Sequence, residues 1–220
     1  MITAGILEKT IERAISTLKV DDELAYLSLT SKIEQPLRDK IAFIFYRKFK
    51  GNILVCREWK SSKPKKNQKR IDLALINKKN KKVKTLVEFK AYYLFDYSRV
   101  SKKLPFIKYL KKDQNRMKKF ADANTECLMV LLLTDPQTAI PGKLEPCVKY
   151  FKGIKSHIKK TEGKNYDLKK IIADVDMGLS EINKRVKYGV CDINSAYSIP
   201  VKLHYWIIGP FRKKGKKYES

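Results

Sequence analysis

Two hydrophobic periods run along the chain, and they predict where helices and strands lie. Apolar residues recur every three or four positions over residues 2–19 and 32–50, which predicts two amphipathic helices. Further helical stretches are expected at 99–122 and 143–187. Short apolar runs bounded by polar turns predict strands at 53–59, 71–76, 83–90, 127–133 and 201–208. This order of elements predicts an α/β domain with a mixed central sheet flanked by helices.

Two of the predicted strands are joined by a short turn, and another is expected at the centre of the sheet. Residues 77–82, between the second and third strands, are almost entirely Asn and Lys, so these strands are expected to form an antiparallel hairpin. The run 127–133 is uniformly apolar, which is typical of a strand buried on both faces. A length of 220 residues suits a single domain over 1–220.

The composition combines a substantial apolar fraction with a large positive charge. Apolar residues make up 43% of the chain, which is enough for a hydrophobic core, and the formal net charge is +26. Such a surface repels itself unless a polyanion neutralises it. Nucleic acid is therefore the first candidate partner and an anionic membrane surface the second. The alternative is that a coding bias toward Lys raises the charge without any binding role.

The cysteines and the lengths of the apolar runs indicate the cellular compartment of the protein. The four cysteines form no CxxC pair, which favours free thiols in a reducing compartment over a structural zinc site. The first residues lack a basic stretch followed by an apolar one, and no apolar run is long enough to span a bilayer. We therefore expect a cytoplasmic protein that does not associate with membranes.

The predicted hairpin carries the residues with the clearest chemistry. Asp72 lies on its first strand, and Glu88 and Lys90 lie near the end of its second strand. Side chains alternate between the faces of a strand, so Glu88 and Lys90 are expected on one face and Phe89 on the other. Two carboxylates with nearby carbonyl oxygens suit Mg²⁺ or Mn²⁺, and an amine beside them suits a phosphate under attack by water.

This arrangement resembles the PD-(D/E)XK nuclease superfamily, which includes restriction endonucleases and Holliday-junction resolvases. The resemblance covers about residues 30–133 and includes a helix before the strands. One departure is Ile71, which stands where many members have proline. The motifs that carry the resemblance are Arg70-Ile71-Asp72-Leu73 and Val87-Glu88-Phe89-Lys90.

The resemblance implies both a fold and a set of roles. It implies a restriction-endonuclease-like fold with a nuclease core at about 30–133. In that fold Asp72, Glu88 and the carbonyl of Phe89 would bind the metal ion. Lys90 would be the catalytic lysine, and Glu34 on the preceding helix would be an auxiliary acid.

Purely structural roles are open for the same residues. Glu88 and Lys90 would form an ion pair if the strand end is exposed. Asp72 would accept hydrogen bonds from backbone donors near a turn. Glu34 would close a capping box in which Ser31 is the N-cap residue.

Basic residues near the hairpin are candidates for contacts with nucleic acid. Basic side chains with interleaved aromatic rings suit a phosphate backbone with adjacent bases. The alternative is that the lysines form a solvated face and the aromatic rings belong to the core. The predicted nucleic-acid-binding residues are Lys65, Lys66, Lys69 and Arg70 in the loop before Asp72, and Lys111, Lys112, Gln114 and Arg116 on the helix after Lys90.

Together these features predict a Mg²⁺-dependent endodeoxyribonuclease that cuts double-stranded DNA in restriction, another defence system, or recombination. By resemblance it would act as a homodimer, and the helical region at about 143–200 would supply target recognition or the dimer interface. One alternative is a nuclease of the same fold that acts on RNA or on branched junctions. The others are an inactive nucleic-acid-binding protein and an unrelated basic α/β protein of a ribonucleoprotein assembly.

Overall fold

The computed structural model describes residues 2–61, 70–98, 105–162, 167–214 and 217–219. An N-terminal group of helices precedes the sheet, and the other helices lie between strands. The helices are α1 (Ala4–Leu18), α2 (Glu23–Thr30), α3 (Glu34–Lys48), α4 (Leu94–Ser98), α5 (Pro105–Phe120), α6 (Phe151–Glu162) and α7 (Leu168–Ser180). Short 3₁₀ turns cover Val20–Asp22 and Gly142–Leu144.

The strands form one mixed sheet in the order β1-β2-β3-β4-β6-β5, with the short β7 paired to the end of β6. Strands β3 and β4 run parallel, and all other neighbouring pairs run antiparallel. The strands are β1 (Ile53–Trp59), β2 (Ile71–Asn77), β3 (Val83–Tyr93), β4 (Glu126–Pro136), β5 (Val186–Ala196), β6 (Ile199–Lys214) and β7 (Lys217–Glu219).

Helices cover both faces of the sheet, so the molecule has two hydrophobic cores. One core joins α1, α2, α3 and α6 to the face that carries Leu73, Val87 and Phe89. The other joins α5 and α7 to the face that carries Ala74 and Leu86. Strand β4 lies between the two cores, and all of its residues are buried.

Several predictions from the hydrophobic pattern are confirmed. The α/β class with a mixed, helix-flanked sheet is present, and β2 and β3 form the expected antiparallel hairpin. Strand β4 is buried on both faces, as its uniform apolar run predicted. All four cysteines are free. No helix in the described ranges combines the length and the apolar character that a bilayer crossing requires.

Other predictions need correction. The region 143–200 is not helical throughout, because 186–196 form strand β5, which pairs along β6. Helix α2 was not predicted. The strand predicted at 201–208 is part of β6, which pairs with β4 and is longer than predicted.

The pairing of β5 with β6 depends on a glycine. Gly189 lies opposite Tyr205 in the register, and the Tyr205 ring occupies the space that a Cβ atom at position 189 would need. The buried tyrosine ring therefore packs directly against the backbone of β5.

Candidate active site

The sheet register brings three acidic positions into one row across β1, β2 and β3. Arg57 pairs with Leu73 and Trp59 with Ile71, which places Glu58 opposite Asp72. On the other side Leu73 pairs with Val87, so the next position of the register places Asp72 opposite Glu88. Residues directly opposite on antiparallel strands share a face, with Cβ atoms about 4.5–5.5 Å apart, and this applies to Asp72 and Glu88. Glu58 has a left-handed φ of 50°, so the register fixes its position in the row but not the face of its side chain. The predicted convergence of Asp72 and Glu88 follows from this register.

Asp72 links the two strands of the hairpin beyond the end of their regular pairing. Its Oδ2 accepts a hydrogen bond of 2.8 Å from the Phe89 N–H. The carboxylate thus satisfies a backbone donor on the neighbouring strand, rather than in a turn. The bond fixes the Asp72 side chain beside the Glu88–Lys90 segment.

Glu88 is a buried carboxyl group, not part of an exposed ion pair. It is 1% exposed, and Nη2 of Arg116 lies 2.7 Å from its Oε2. Although that distance is short, neither Glu88 oxygen is in hydrogen-bond geometry with any donor among the described residues. Burial, followed by the nearby charge of Asp72, raises the pKa of Glu88 to about 9, and the Arg116 cation opposes this shift.

Lys90 lies on the same side of β3 as Glu88, as the alternation predicted, while Phe89 belongs to the opposite core. Its Nζ donates to the Phe89 carbonyl at 2.9 Å and lies 3.1 Å from Oδ2 of Asp113 on α5. Burial works to lower the pKa of Lys90, but four surrounding carboxyl groups outweigh it and the pKa is raised. The ammonium is therefore held charged at the end of the hairpin.

Glu34 belongs to this site and does not close a capping box. It is the first residue of α3, whose N-cap position is Ile33, and the Ser31 hydroxyl donates to the carbonyl of Leu27 instead. Its Oε2 accepts a hydrogen bond of 3.1 Å from the Ala91 N–H. Burial and the Asp72 charge raise the pKa of Glu34, whereas Lys90 and the Ala91 N–H oppose the rise.

Two arginines bring positive charge to these acids: Arg38, which was not predicted, and Arg116, which was predicted as a nucleic-acid contact. Arg38 on α3 is 5% exposed, contacts Glu58, and lies 3.9 Å from Oδ1 of Asp72. Arg116 on α5 contacts both Glu88 and Asp113, the latter at 2.9 Å. The sequence offered one signal for the Asp113–Arg116 pair, since both are charged residues on the inner face of the amphipathic helix α5.

The predicted nucleic-acid contacts on α5 divide into three kinds. Gln114 is buried and donates to the Ile182 carbonyl at 3.3 Å, so the prediction that it contacts nucleic acid is wrong. Arg116 is part of the candidate site itself. Lys111 pairs with Glu181 at 3.1 Å, while Lys112 is exposed.

The loop before β2 provides only one predicted nucleic-acid contact that can be placed. Arg70 is exposed at the start of the hairpin. The remaining predicted contacts, Lys65, Lys66 and Lys69, lie outside the described residues.

The site offers a partial set of metal ligands. The described residues contain no group of three or more His, Cys, Asp or Glu side chains placed to hold a metal ion. The set implied by the resemblance is smaller: two carboxylates, Asp72 and Glu88, and the Phe89 carbonyl. These hard oxygen donors suit Mg²⁺, and the buried Glu88 oxygens without hydrogen bonds are the observation that fits such an ion.

Comparison of the chain with protein-family models, with curated proteins and with solved structures found no match.

Proposed function

We propose that the protein is a metal-dependent nuclease that hydrolyses DNA phosphodiester bonds at the open end of the β2–β3 hairpin, away from its turn. The observation that carries the proposal is the meeting of Asp72 and Glu88 beside Lys90, where no described donor is in hydrogen-bond geometry with the Glu88 oxygens and their ion-pair partner is Arg116. A carboxyl group that is 1% exposed and lies beside a second carboxylate is costly to bury, and such groups are found where they serve a ligand or a reaction. The net charge of +26 supplies the attraction for a polyanion.

In this proposal Asp72, Glu88 and the Phe89 carbonyl hold Mg²⁺ or Mn²⁺, which supplies Lewis acidity toward the scissile phosphate. Lys90 donates a hydrogen bond to a phosphate oxygen or orients the attacking water. Asp113 keeps the Lys90 ammonium in place through their contact of 3.1 Å. Arg38 and Arg116 limit the repulsion between the two carboxylates, which otherwise disfavours having both ionised.

Plasmid digestion by the purified protein tests this function directly. We expect cleavage with Mg²⁺ or Mn²⁺ and none with EDTA. The variants Asp72→Ala and Lys90→Ala should lower the cleavage rate by about a hundredfold or more, because each removes a group that acts on the transition state. DNA binding in EDTA should persist in both variants.

Matched controls come from exposed charged residues away from the site. Asp192→Ala and Lys152→Ala replace groups whose side chains are 67% and 89% exposed, and both variants should cut like the wild type. Cleavage that survives Asp72→Ala, or that proceeds in EDTA, would contradict the proposal.

A second candidate is a nucleic-acid-binding protein without nuclease activity. The observation that favours it is the Arg116 cation, which already lies 2.7 Å from Glu88 and gives its carboxyl group a partner without a metal ion. This candidate predicts DNA binding with no cleavage under Mg²⁺ or Mn²⁺. Both candidates predict that Asp72→Ala keeps DNA binding, so cleavage by the wild type with Mg²⁺ or Mn²⁺ is the result that separates them.

A further inference from the structure

A cleft lies between α3 and β1, at one edge of the sheet and apart from the carboxylate row. It has a volume of about 310 Å³ and is open to solvent on one side. We call it the α3–β1 cleft, and its lining residues are Asp39, Ala42, Phe43, Tyr46, Val55 and Arg57. Its size is at the lower end of the range for small-ligand sites, which suits a single planar ring system.

Two aromatic rings of this cleft are unusually exposed. Phe43 and Tyr46 are each 52% exposed, although most large apolar side chains of the described chain are buried. Their rings are separated by 6.5 Å between centroids and inclined by only 25°. They sit one helical turn apart on α3 and form a near-parallel platform. Exposed, roughly parallel rings are the feature by which proteins stack unpaired bases.

The charges around the platform favour an anionic ligand. Asp39 is the acidic residue of the cleft, and two arginines share it: Arg38 at 2.9 Å and Arg57 at 2.8 Å. Arg38 is also paired with Glu58, so these four side chains balance in charge, and the exposed cation of the cleft is Arg57, whose side chain is 56% exposed. Arg47, Lys48 and Lys50 add exposed positive charge along the end of α3 and just beyond it.

The cleft is joined to the candidate active site by consecutive ion pairs. Asp39 contacts Arg38, and Arg38 in turn contacts Glu58 and approaches Asp72. Two side chains, Asp39 and Arg38, therefore link the cleft to Glu58 and Asp72. Arg57 pairs with Leu73, so the cleft lies on the α3 side of the sheet, and a nucleic-acid strand that reaches both sites must pass around the edge strand β1.

From this geometry we propose that the α3–β1 cleft binds an unpaired base, so that the preferred substrate carries a single-stranded segment next to the duplex. The inference rests on the proposed function, because it specifies the form of nucleic acid that the same site receives. The platform stacks the base, and Arg57 with the basic residues of α3 binds the adjoining phosphates.

A second copy of the chain is the main rival occupant. Strand β1 ends the sheet, and no described strand pairs with its outer edge. Two copies of a chain with a net charge of +26 repel each other, however, and Arg47, Lys48 and Lys50 add exposed positive charge beside the cleft. Charge complementarity therefore favours nucleic acid over self-association.

Binding of synthetic DNA in EDTA tests the inference without any cleavage. The probes are one duplex with blunt ends and the same duplex with a single-stranded extension that contains 2-aminopurine. For the wild type we expect tighter binding of the extended duplex and quenching of 2-aminopurine fluorescence. The double variant Phe43→Ala/Tyr46→Ala should weaken binding of the extended duplex by about tenfold or more, and should abolish the quenching. Its binding of the blunt duplex should change by less than about twofold.

Two further variants make the result specific. Phe43→Tyr/Tyr46→Phe keeps both rings and should bind like the wild type. Tyr26→Ala/Tyr197→Ala removes another exposed aromatic pair, which lies near β5 at the opposite edge of the sheet, and should leave the extension preference intact. Far-UV circular dichroism verifies that each variant folds.

Each outcome either supports or overturns the inference. An unchanged preference in Phe43→Ala/Tyr46→Ala overturns it, and so does an equal loss for blunt and extended duplexes. If sedimentation instead shows a dimer that this double variant dissociates, without any effect on the extension, the cleft is a self-association surface. A wild type that shows the quenching but does not cut with Mg²⁺ or Mn²⁺ overturns the nuclease proposal alone.

Discussion

Glu88 is the residue whose surroundings depart furthest from those of an ordinary carboxyl group. Its side chain is buried beside Asp72, its oxygens accept no hydrogen bond from described donors, and its pKa is raised to about 9. At neutral pH in the absence of a bound cation, the group therefore holds a proton. Binding of a divalent cation must then displace that proton, so the proposed site couples cation affinity to pH.

This raised pKa makes the stability of the protein depend on pH in a defined direction. In the unfolded chain Glu88 ionises near its ordinary value of 4.5, while in the folded protein it stays protonated up to about 9. Between these values the unfolded state binds fewer protons, so stability falls as pH rises, by at most about 1.4 kcal/mol per pH unit. Glu88→Gln should remove this loss. The free energy of unfolding, measured with urea in EDTA at pH 5–9, should therefore favour the variant increasingly as pH rises.

The control for this measurement is Glu145→Gln, which replaces a side chain that is 54% exposed. Its difference from the wild type should be constant across the pH range. A constant difference for Glu88→Gln as well would show that the carboxyl of Glu88 does not carry the raised pKa.

At the scale of single residues, strand alternation is enough to predict part of the site. The side on which Glu88 and Lys90 lie, opposite Phe89, follows from the period of two. The contacts of Arg38, Asp113 and Arg116 could not be predicted from the sequence, because they depend on how α3 and α5 pack against the sheet. Glu34 shows the limit clearly: its spacing from Ser31 fits a local cap, but its partner is Ala91, which is far away in the sequence.

At the scale of elements, the apolar runs predicted β1 to β4 and β6, but not the edge strand β5. Strand β4 is uniformly apolar and was predicted, whereas β5 mixes Lys, Gly, Asp and Asn with apolar residues because one of its sides faces solvent. Its pairing depends on long-range contact with β6, which a local window of sequence does not contain.

The close approach of Gly189 to Tyr205 leads to a prediction about this strand pair. In Gly189→Ala the new methyl group would meet a rigid, buried ring, so we expect a loss of about 1–3 kcal/mol in the free energy of unfolding. Denaturant unfolding measures the loss. Gly142→Ala is the matched control, since a Cβ atom there would meet nothing within 4 Å, and its effect should stay within about 0.5 kcal/mol.

The same prediction has an internal check. Adding Tyr205→Leu to Gly189→Ala removes the ring, so the cost of the second change should be smaller in the Gly189→Ala background than in the wild type. Strictly additive losses would contradict the packing explanation.

At the scale of the whole molecule, the net charge of +26 opposes the compact state through self-repulsion. Raising NaCl from low to moderate concentration screens this repulsion and should raise the thermal midpoint, by about 2–4 °C for each kcal/mol gained. Differential scanning fluorimetry measures the shift.

Lys79→Glu/Lys82→Glu tests the cause of that shift. Both lysines are exposed in the turn between β2 and β3, so the variant lowers the net charge without disturbing a core. Its thermal midpoint should depend less on salt than that of the wild type. An equal dependence would mean that the repulsion is not what salt relieves.

Strand β4 has a consequence for how this protein can be divided or recombined. It hydrogen-bonds to β3, which carries Glu88 and Lys90, on one side and to β6 near the end of the chain on the other. A truncated polypeptide that stops after β4 would expose a long apolar edge strand without a hydrogen-bonded neighbour. We expect it to aggregate, and not to show the proposed nuclease activity. The segment after β4, which contains β5 and β6, therefore cannot be moved to another protein as an independent unit. A chimera with another protein must keep β3, β4 and β6 together, or replace all three.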